Sequence, residues 1–186
     1  MTGEPSRTAL VVVADAVDET LAPWRRRFHA WSVACGIPAH LTILFPFVVA
    51  ARVDADLLAS LRALYAPVAP FAYELARVES FPGVAWLAPE PAAPFLDLID
   101  ATRAAFPDHP PYGDPTLEPV PHCTVGGDTG GEDDDRTLAA MLGELRDGLG
   151  RSLPLACRGE AATLLVEQAD GTWARGPVFP FAGHRP

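Results

Sequence analysis

The sequence contains no lysine, and all 14 of its basic residues are arginines. This absence excludes Schiff-base catalysis and phosphate binding by a P-loop lysine. The motifs GxxxxGK[ST], GxGxxG, GxSxG and HExxH are also missing, which argues against P-loop, dinucleotide-binding, serine-hydrolase and zinc-protease chemistry. Any catalysis must therefore rest on other side chains.

Cysteine is scarce as well, with only Cys35, Cys123 and Cys157 in the chain. An odd number of cysteines without a C-x-x-C pair argues against both a disulfide framework and a thiolate zinc site. We therefore expect all three to be buried thiols.

Long apolar runs are absent, since no stretch approaches the roughly 18 residues that a membrane helix needs. A short apolar run at residues 9–14 follows a single basic residue and precedes acidic ones, which is unlike a secretory signal peptide. These features predict a cytoplasmic protein with no membrane partner.

The chain has few positive charges, with 14 basic residues against 24 acidic ones and a formal net charge of −10. An acidic protein has no broad attraction to a nucleic-acid backbone. A nucleotide substrate would therefore be small or terminal, and a long duplex is excluded. The length of 186 residues suits one domain, so we expect residues 1–186 to form a single two-lobed domain and a monomer.

The pattern of apolar residues predicts alternating strands and helices, and each half of the chain reads strand, helix, strand, helix. The predicted strands cover residues 8–14, 40–49, 71–80, 84–88, 122–125, 160–167 and 173–181. The predicted helices cover residues 18–34, 55–65 (capped by Asp54), 93–106 and 136–149. The Gly- and Asp-rich segment 126–135 has no EF-hand spacing and is predicted to be a solvated linker.

Two His-x-Thr motifs, His40-Leu41-Thr42 and His122-Cys123-Thr124, occupy equivalent positions in the two halves. Residues i and i+2 of a strand share a face, so each histidine projects beside its threonine while the residue between them faces the core. One such tripeptide arises easily by chance. Two of them, both preceded by proline and both on predicted strands, indicate a functional pair.

Two opposed imidazoles suit an in-line displacement at phosphorus, because the attacking and leaving oxygens lie on opposite sides of the phosphoryl group. One histidine can act as base and the other as acid, and the threonine hydroxyls can donate to the non-bridging oxygens. The remaining histidines receive structural interpretations. His29 is expected to be solvated on a helix, His109 to lie in a loop and His184 near the terminus.

The residues around these motifs resemble the two-histidine (2H) phosphoesterase superfamily, in its 2'-5' RNA ligase-like or cyclic phosphodiesterase branch. The most specific stretches are residues 36–47, 110–127 and 164–181. The resemblance implies two pseudo-symmetric α+β lobes whose antiparallel sheets line a central cleft, with helices outside. It also implies opening of 2',3'-cyclic phosphates or cleavage of 2'-5' linkages in nucleotides or RNA ends, without a metal or another cofactor.

By this resemblance His40 and His122 are the catalytic pair, and Thr42 and Thr124 orient the phosphate. Tyr112 resembles a tyrosine found near the pocket of this branch, where it could bind phosphate or stack on a base, although it could equally be a packed loop residue. Three arginines are candidate phosphate contacts, and these are Arg52, Arg77 and Arg103.

Two alternatives to a metal-independent enzyme follow from the same motifs. The first is a non-catalytic nucleotide- or RNA-end-binding module that keeps the cleft. The second is a metal site with His40 and His122 as ligands, but no third protein ligand is evident at motif spacing. The presence of both His-x-Thr pairs favours the enzyme.

Overall fold

The computed structural model describes residues 6–127 and 134–183, and in these ranges it contains eight strands and five α-helices. The strands are β1 (Thr8–Val13), β2 (His40–Leu44), β3 (Phe71–Phe81), β4 (Val84–Glu90), β5 (Cys123–Gly126), β6 (Leu155–Gly159), β7 (Ala161–Glu167) and β8 (Trp173–Pro180). The helices are α1 (Asp18–Phe28), α2 (Ala30–Ala34), α3 (Ala55–Tyr65), α4 (Ala93–Ala105) and α5 (Asp134–Asp147).

The strands form two four-stranded antiparallel sheets, in the orders β2-β1-β7-β8 and β5-β4-β3-β6. Each sheet carries one His-x-Thr motif on an edge strand. Thr42 of β2 pairs with Val11 of β1, and Thr124 of β5 pairs with Trp86 of β4. The predicted α+β fold with antiparallel sheets is therefore confirmed, and the equivalent edge positions of β2 and β5 give it its pseudo-symmetry.

The two sheets are not built from two successive halves of the chain. Strand β7 lies beside β1, with Thr8 paired to Val166, so the C-terminal hairpin of β7 and β8 completes the first sheet. The second sheet gains β6, which the sequence did not predict and which pairs with β3. That strand has only five residues, and its alternating pattern of burial is too short to stand out beside Pro154.

The single helix predicted over residues 18–34 is wrong, because the chain breaks at His29 (φ −149°, ψ 44°) and forms α1 and α2. At the break the backbone N–H of Gly127 donates to Phe28 O at 3.0 Å. The Ser32 hydroxyl lies 3.0 Å from His29 Nδ1. The end of α1 is thereby tied to the end of β5, and His29 leaves the regular helix.

Other boundaries lie close to their predicted positions. Helix α3 begins as expected, with the Asp54 carboxylate accepting a hydrogen bond from Leu57 N at 2.8 Å. Strand β2 ends at Leu44 rather than at residue 49, because Pro46 lacks the N–H that a continuing ladder would need. His122 lies one residue before β5 rather than within it.

The core lies on the faces of both sheets that are covered by helices. Helix α4 packs against β2 and α3 against β8, while α1 packs against β5 and α5 against β3 and β4. Leu41 and Ile43 of the first motif strand are buried there, as are Cys123 and Val125 of the second. The predicted alternation is confirmed, with Leu41 and Cys123 facing the core between each histidine and threonine.

Two of the three predicted buried thiols are confirmed. Cys123 and Cys157 are buried, whereas Cys35 is only half-buried at the end of α2, so the prediction is wrong for that residue. Burial raises the pKa of the Cys123 thiol to about 12. This cysteine therefore packs as an apolar side chain between the histidine and the threonine of its motif.

The acidic segment 128–133 of the predicted linker lies outside the described residues, as does His184. None of the helices in the described part of the chain combines the length and the apolar character required to cross a lipid bilayer.

Candidate active site

The two motif strands β2 and β5 lie in contact with each other where the two sheets meet. Because Leu41 and Cys123 point into the core, the side chains on either side of each of them point the other way. His40 and Thr42 therefore share one face, and so do His122 and Thr124. Strand alternation places His40, Thr42 and Thr124 outside the core, and His122 lies one residue before β5.

Both imidazoles are anchored by the same local device. His40 Nδ1 lies 2.8 Å from Pro38 O, and His122 Nδ1 lies 2.7 Å from Val120 O, so in each case the ring N–H donates to the carbonyl two residues upstream. This hydrogen bond selects the Nδ1–H tautomer in the neutral ring. In each neutral imidazole Nε2 is then the nitrogen that carries the lone pair and can accept a proton.

The two imidazoles differ in their electrostatic surroundings. Burial lowers the pKa of His40 to about 4, an effect opposed by the Pro38 hydrogen bond and reinforced by the charges of Arg25, His122 and His29. Burial also lowers the pKa of His122, and the hydrogen bond to Val120 O opposes it. Both residues are therefore neutral at pH 7 without a ligand, and a bound phosphate anion favours their protonated forms.

A buried arginine, Arg25, contacts the backbone just before His40. Arg25 of α1 is only 4% exposed, and its guanidinium donates to Ile37 O at 2.7 Å and to Ser32 Oγ at 3.3 Å. Asp18 Oδ1 lies 3.4 Å from Arg25 and also accepts from Ala39 N at 3.1 Å. These contacts from α1 fix the position of residues 37–39, which directly precede His40. The Pro38 carbonyl that accepts from the His40 ring belongs to this segment.

A first cavity of about 590 Å³ is lined by Thr42, Tyr112, His122 and Thr124. Its other walls are mainly apolar, and they include Phe81, Val84, Leu117, Pro119 and Val120. This combination of a few polar groups in an apolar pocket is typical of small-molecule sites.

Tyr112 is held in the left-handed region at φ 53°, a conformation that is uncommon for a residue with a side chain. Its backbone N–H donates to Phe45 O at 2.7 Å, and its side chain lines the first cavity together with Thr42. Partial burial of the phenol raises the pKa of Tyr112, and the nearby Thr42 hydroxyl opposes this. Backbone strain of this kind is concentrated at functional sites, and here it places a hydroxyl beside Thr42.

A second cavity of about 240 Å³ lies beside the first and contains His40. The two cavities share Thr42 and Phe45. Further walls of the second cavity are supplied by strand ends and by α2, and they include Arg7, Trp31, Leu165 and Trp173. The two motifs therefore line adjoining spaces, with Thr42 on the border.

The predicted binding residues separate into two groups. Tyr112 lies at the first cavity, as described above. Arg52, Arg77 and Arg103 are not among the described residues that line either cavity. Arg77 is ion-paired with Glu79 and Glu90, and Arg103 donates to Pro115 O at 3.1 Å.

Two basic side chains at the site were missed by sequence reasoning. His29, expected to be solvated on a helix, lies at the break between α1 and α2 and lines the first cavity. Arg7 lines the second cavity and forms an ion pair with Glu167 at 2.8 Å. No local motif marks either residue, since each reaches the site through contacts with distant parts of the chain.

A family model for the 2'-5' RNA ligase superfamily matches residues 13–171, which is most of the chain. The chain belongs to this superfamily. The resemblance indicated by the motifs is confirmed, and the membership assigns a phosphoesterase-type or ligase-like activity to the chain. Among curated proteins, none matches the sequence significantly.

Solved structures share the fold of this superfamily member at low sequence identity. The Thermus thermophilus protein TT0787 is 18% identical with a TM-score of 0.63, and the alignment covers 96% of this chain and 100% of TT0787. E. coli LigT in complex with 3'-AMP is 15% identical with a TM-score of 0.60, and the alignment covers 96% of this chain and 99% of LigT. The likeness over nearly the full length of both chains establishes the common fold.

Within residues 6–127 and 134–183, no three His, Cys, Asp or Glu side chains lie close enough together to hold a metal ion. The polar side chains that line the two cavities include imidazoles, hydroxyls, the Arg7 guanidinium and the Glu118 carboxylate.

Proposed function

We propose that this protein is a metal-independent phosphoesterase that opens 2',3'-cyclic phosphates, or cleaves 2'-5' linkages, in nucleotides or RNA ends. The observation that carries the proposal is the matched anchoring of the two imidazoles. Each donates Nδ1–H to a carbonyl two residues upstream, at 2.8 Å for His40 and 2.7 Å for His122. Each motif thereby offers Nε2 for proton transfer and a threonine hydroxyl on the same strand face.

In the proposed reaction, Nε2 of one imidazole accepts a proton from water as the water oxygen bonds to phosphorus. The other imidazole, protonated in the complex, donates its Nε2 proton to the leaving ribose oxygen as the P–O bond breaks. The products are a phosphomonoester and a free ribose hydroxyl. One histidine gains a proton and the other loses one, so exchange with solvent restores the starting state.

The negative charge that develops on the non-bridging oxygens is stabilised by hydroxyl donors. Thr42 and Thr124 fill this role, and Tyr112 lines the same cavity and offers a third hydroxyl. Donors held in a largely apolar cavity are more effective than the same groups in water.

Nucleotide-sized substrates are supported by the relatives and by the charge of the chain. LigT has been crystallised with 3'-AMP, with NADP+ and with ATP. The net charge of −10 disfavours a long polyanion. We therefore propose a single nucleotide or a terminal nucleotide as the group bound in the cleft.

The deciding experiment is a turnover screen of 2',3'-cyclic mononucleotides, oligonucleotides ending in a cyclic phosphate and 2'-5' dinucleotides, each with and without EDTA. We expect turnover of at least one substrate class and no loss of rate with EDTA, because imidazoles and hydroxyls supply the proton transfer and charge stabilisation. Activity that disappears with EDTA and returns with one divalent ion would contradict the mechanism. Binding of these ligands without any turnover would support the non-catalytic module instead.

A further inference from the structure

The first cavity offers no permanent positive charge to a phosphate. Among the described residues that line it there is neither a lysine nor an arginine, and the only carboxylate is that of Glu118. Arginine is the side chain that most often holds phosphate in proteins, through charge-assisted hydrogen bonds. A phosphate in this cavity therefore depends on imidazoles, hydroxyls and backbone N–H groups.

One imidazole of the first cavity belongs to neither motif. His29 lies at the break between α1 and α2 and lines this cavity together with the threonines of both motifs. The hydrogen bond of 3.0 Å from Gly127 N to Phe28 O fixes the chain directly before it. A positive charge on His29 lowers the pKa of His40, so the ring is within electrostatic reach of the first motif as well. His29 is therefore placed to contact a phosphate that the two motifs bind.

The ring of His29 is anchored differently from the rings of the two motifs. His40 and His122 direct Nδ1 at a backbone carbonyl, which can only accept, so their Nδ1 carries the hydrogen. His29 Nδ1 instead lies 3.0 Å from the Ser32 hydroxyl, which can either donate or accept. The tautomer of His29 is therefore free to differ from theirs.

The neighbours of Ser32 favour a hydroxyl that donates to the ring. The Arg25 guanidinium has only donors and lies 3.3 Å from Ser32 Oγ, so it uses a lone pair of the hydroxyl. The Ser32 hydrogen then has two acceptors in reach, His29 Nδ1 at 3.0 Å and His29 O at 3.1 Å. The carbonyl already accepts from Val33 N at 3.4 Å. When Nδ1 accepts from Ser32, the hydrogen of the neutral imidazole is on Nε2.

We propose that His29 is a substrate-binding residue in its Nε2–H form, and that it donates this hydrogen to a non-bridging oxygen of the substrate phosphate in the first cavity. It adds a further side-chain donor to the hydroxyls of Thr42 and Thr124. A neutral donor stabilises the oxygen without placing another positive charge near the two motif imidazoles. The proposal rests on the proposed function in one respect, namely that the phosphate lies at the His-x-Thr centre.

Calorimetric titration with uridine 2'-monophosphate, inorganic phosphate and uridine tests the role of His29 without requiring turnover. His29→Ala removes the donor and should weaken binding of the two phosphate-containing probes about 3- to 10-fold, the usual effect of losing one neutral hydrogen bond. His29→Gln keeps an N–H donor near the position of Nε2, so its affinities should lie within about twofold of those of the wild type. The affinity for uridine, which has no phosphate, should not change in either variant.

His109→Ala is the matched control, because His109 is also half-buried but is not among the described residues that line either cavity. It packs against Phe47 instead, with 5.4 Å between the ring centroids, and its replacement should leave binding of all three probes unchanged. Wild-type affinity of His29→Ala for both phosphate-containing probes would overturn the proposal, as would equal weakening in His29→Ala and His29→Gln. Failure of the wild type to bind either of these probes would overturn it too.

NMR of the ring nitrogens in the intact wild-type protein tests the tautomer directly. The protein has five histidines, and the signals absent from His29→Gln identify His29. At a pH where the rings are neutral, His29 should carry its hydrogen on Nε2, whereas His40 and His122 should carry theirs on Nδ1. The His29 N–H signal should move downfield when inorganic phosphate is bound. A hydrogen on Nδ1 of His29, or a signal that saturating phosphate leaves unmoved, would overturn the proposal.

Steady-state kinetics separates this proposal from the proposed function. If 2',3'-cyclic nucleotides are turned over, His29→Ala should lower kcat/KM about 3- to 10-fold and His29→Gln should restore it. Turnover without any effect of His29→Ala on binding or rate would overturn the role of His29 and leave the proposed function standing. Phosphate binding that depends on His29, without turnover of any substrate, would have the opposite meaning.

Discussion

At the scale of single residues, the two histidines form the same hydrogen bond to the backbone, but different side chains surround them. His40 is backed by the buried charge of Arg25. His122 instead lies against two aromatic rings, with centroids 5.1 Å from Phe81 and 5.8 Å from Trp86. The two imidazoles of the pseudo-symmetric pair therefore have different chemical environments.

We expect the pH optimum of kcat/KM to lie on the acidic side of 6.5. The rate falls at low pH as the base becomes protonated, and at high pH as the acid loses its proton. The pKa values of both histidines are lowered, that of His40 to about 4, so both limbs of the free-enzyme profile move toward acid. A pH–rate series with a 2',3'-cyclic mononucleotide measures this, and an optimum above pH 7 would contradict it.

Removal of either imidazole should cost more activity than removal of a threonine hydroxyl. His40→Ala and His122→Ala are expected to lower kcat about 10²–10⁴-fold or more, and Thr42→Val or Thr124→Val about 10²–10³-fold. Steady-state kinetics of the four variants provides the measurement. Thr→Ser at either threonine is the control, because it retains the donor. Near-normal turnover by His122→Ala would show that the motifs do not act as one pair.

At the scale of elements, α1 acts as the support of the first motif. Arg25→Met removes the donors to Ile37 O and Ser32, and we expect it to lower the free energy of unfolding by about 1–3 kcal/mol. Loss of the positive charge should raise the pKa of His40 and move the acid limb of the rate profile to higher pH. Denaturant unfolding and the pH profile measure the two effects.

Arg26 provides the matched control for Arg25, since it neighbours Arg25 on the same helix but is exposed. Arg26→Met should leave both stability and the pH profile close to those of the wild type. Identical behaviour of the two variants would mean that the buried network does not support His40.

Elements whose signals are local were predictable from the sequence. Helix α3 carries its own cap at Asp54, and the alternation around Leu41 and Cys123 correctly predicted which side chains face the core. The break at His29 could not be foreseen, because it depends on a hydrogen bond from Gly127, far along the chain. Strand β6 was missed because its pattern is short and depends on pairing with β3.

The same distinction applies to the site. The four residues of the two motifs were proposed because strand periodicity and repetition mark them locally. Arg7 and Trp173 were not, since they meet at the second cavity only after β1 and β8 join the same sheet. Arg77 was proposed on charge alone, yet Glu79 and Glu90 on its own hairpin engage it. The type of a residue indicates which chemistry its side chain can perform, but its ion-pair partners are known only from the folded structure.

At the scale of the whole molecule, the net charge of −10 governs which substrates approach the cleft. We expect kcat/KM for an oligonucleotide ending in a cyclic phosphate to be no higher than for the mononucleotide at low salt, and to rise or stay level as salt is added. Proteins that bind single strands through basic residues show the opposite, a fall with a log–log slope of about −0.7 per phosphate contact. Initial rates measured over a series of salt concentrations test this prediction. A steep fall of kcat/KM for the oligonucleotide with added salt would contradict it.

The placement of β1 between β2 and β7 has a consequence for biosynthesis. During translation the first motif strand leaves the ribosome early, but the neighbour that completes its sheet begins only at Ala161. Until β7 is synthesised, the edge of β1 that pairs with it stays unpaired, and Thr8 lacks its partner Val166. The sheet that carries His40 therefore contains the earlier of the two motifs in the sequence, yet it is completed only when the last two strands have been made.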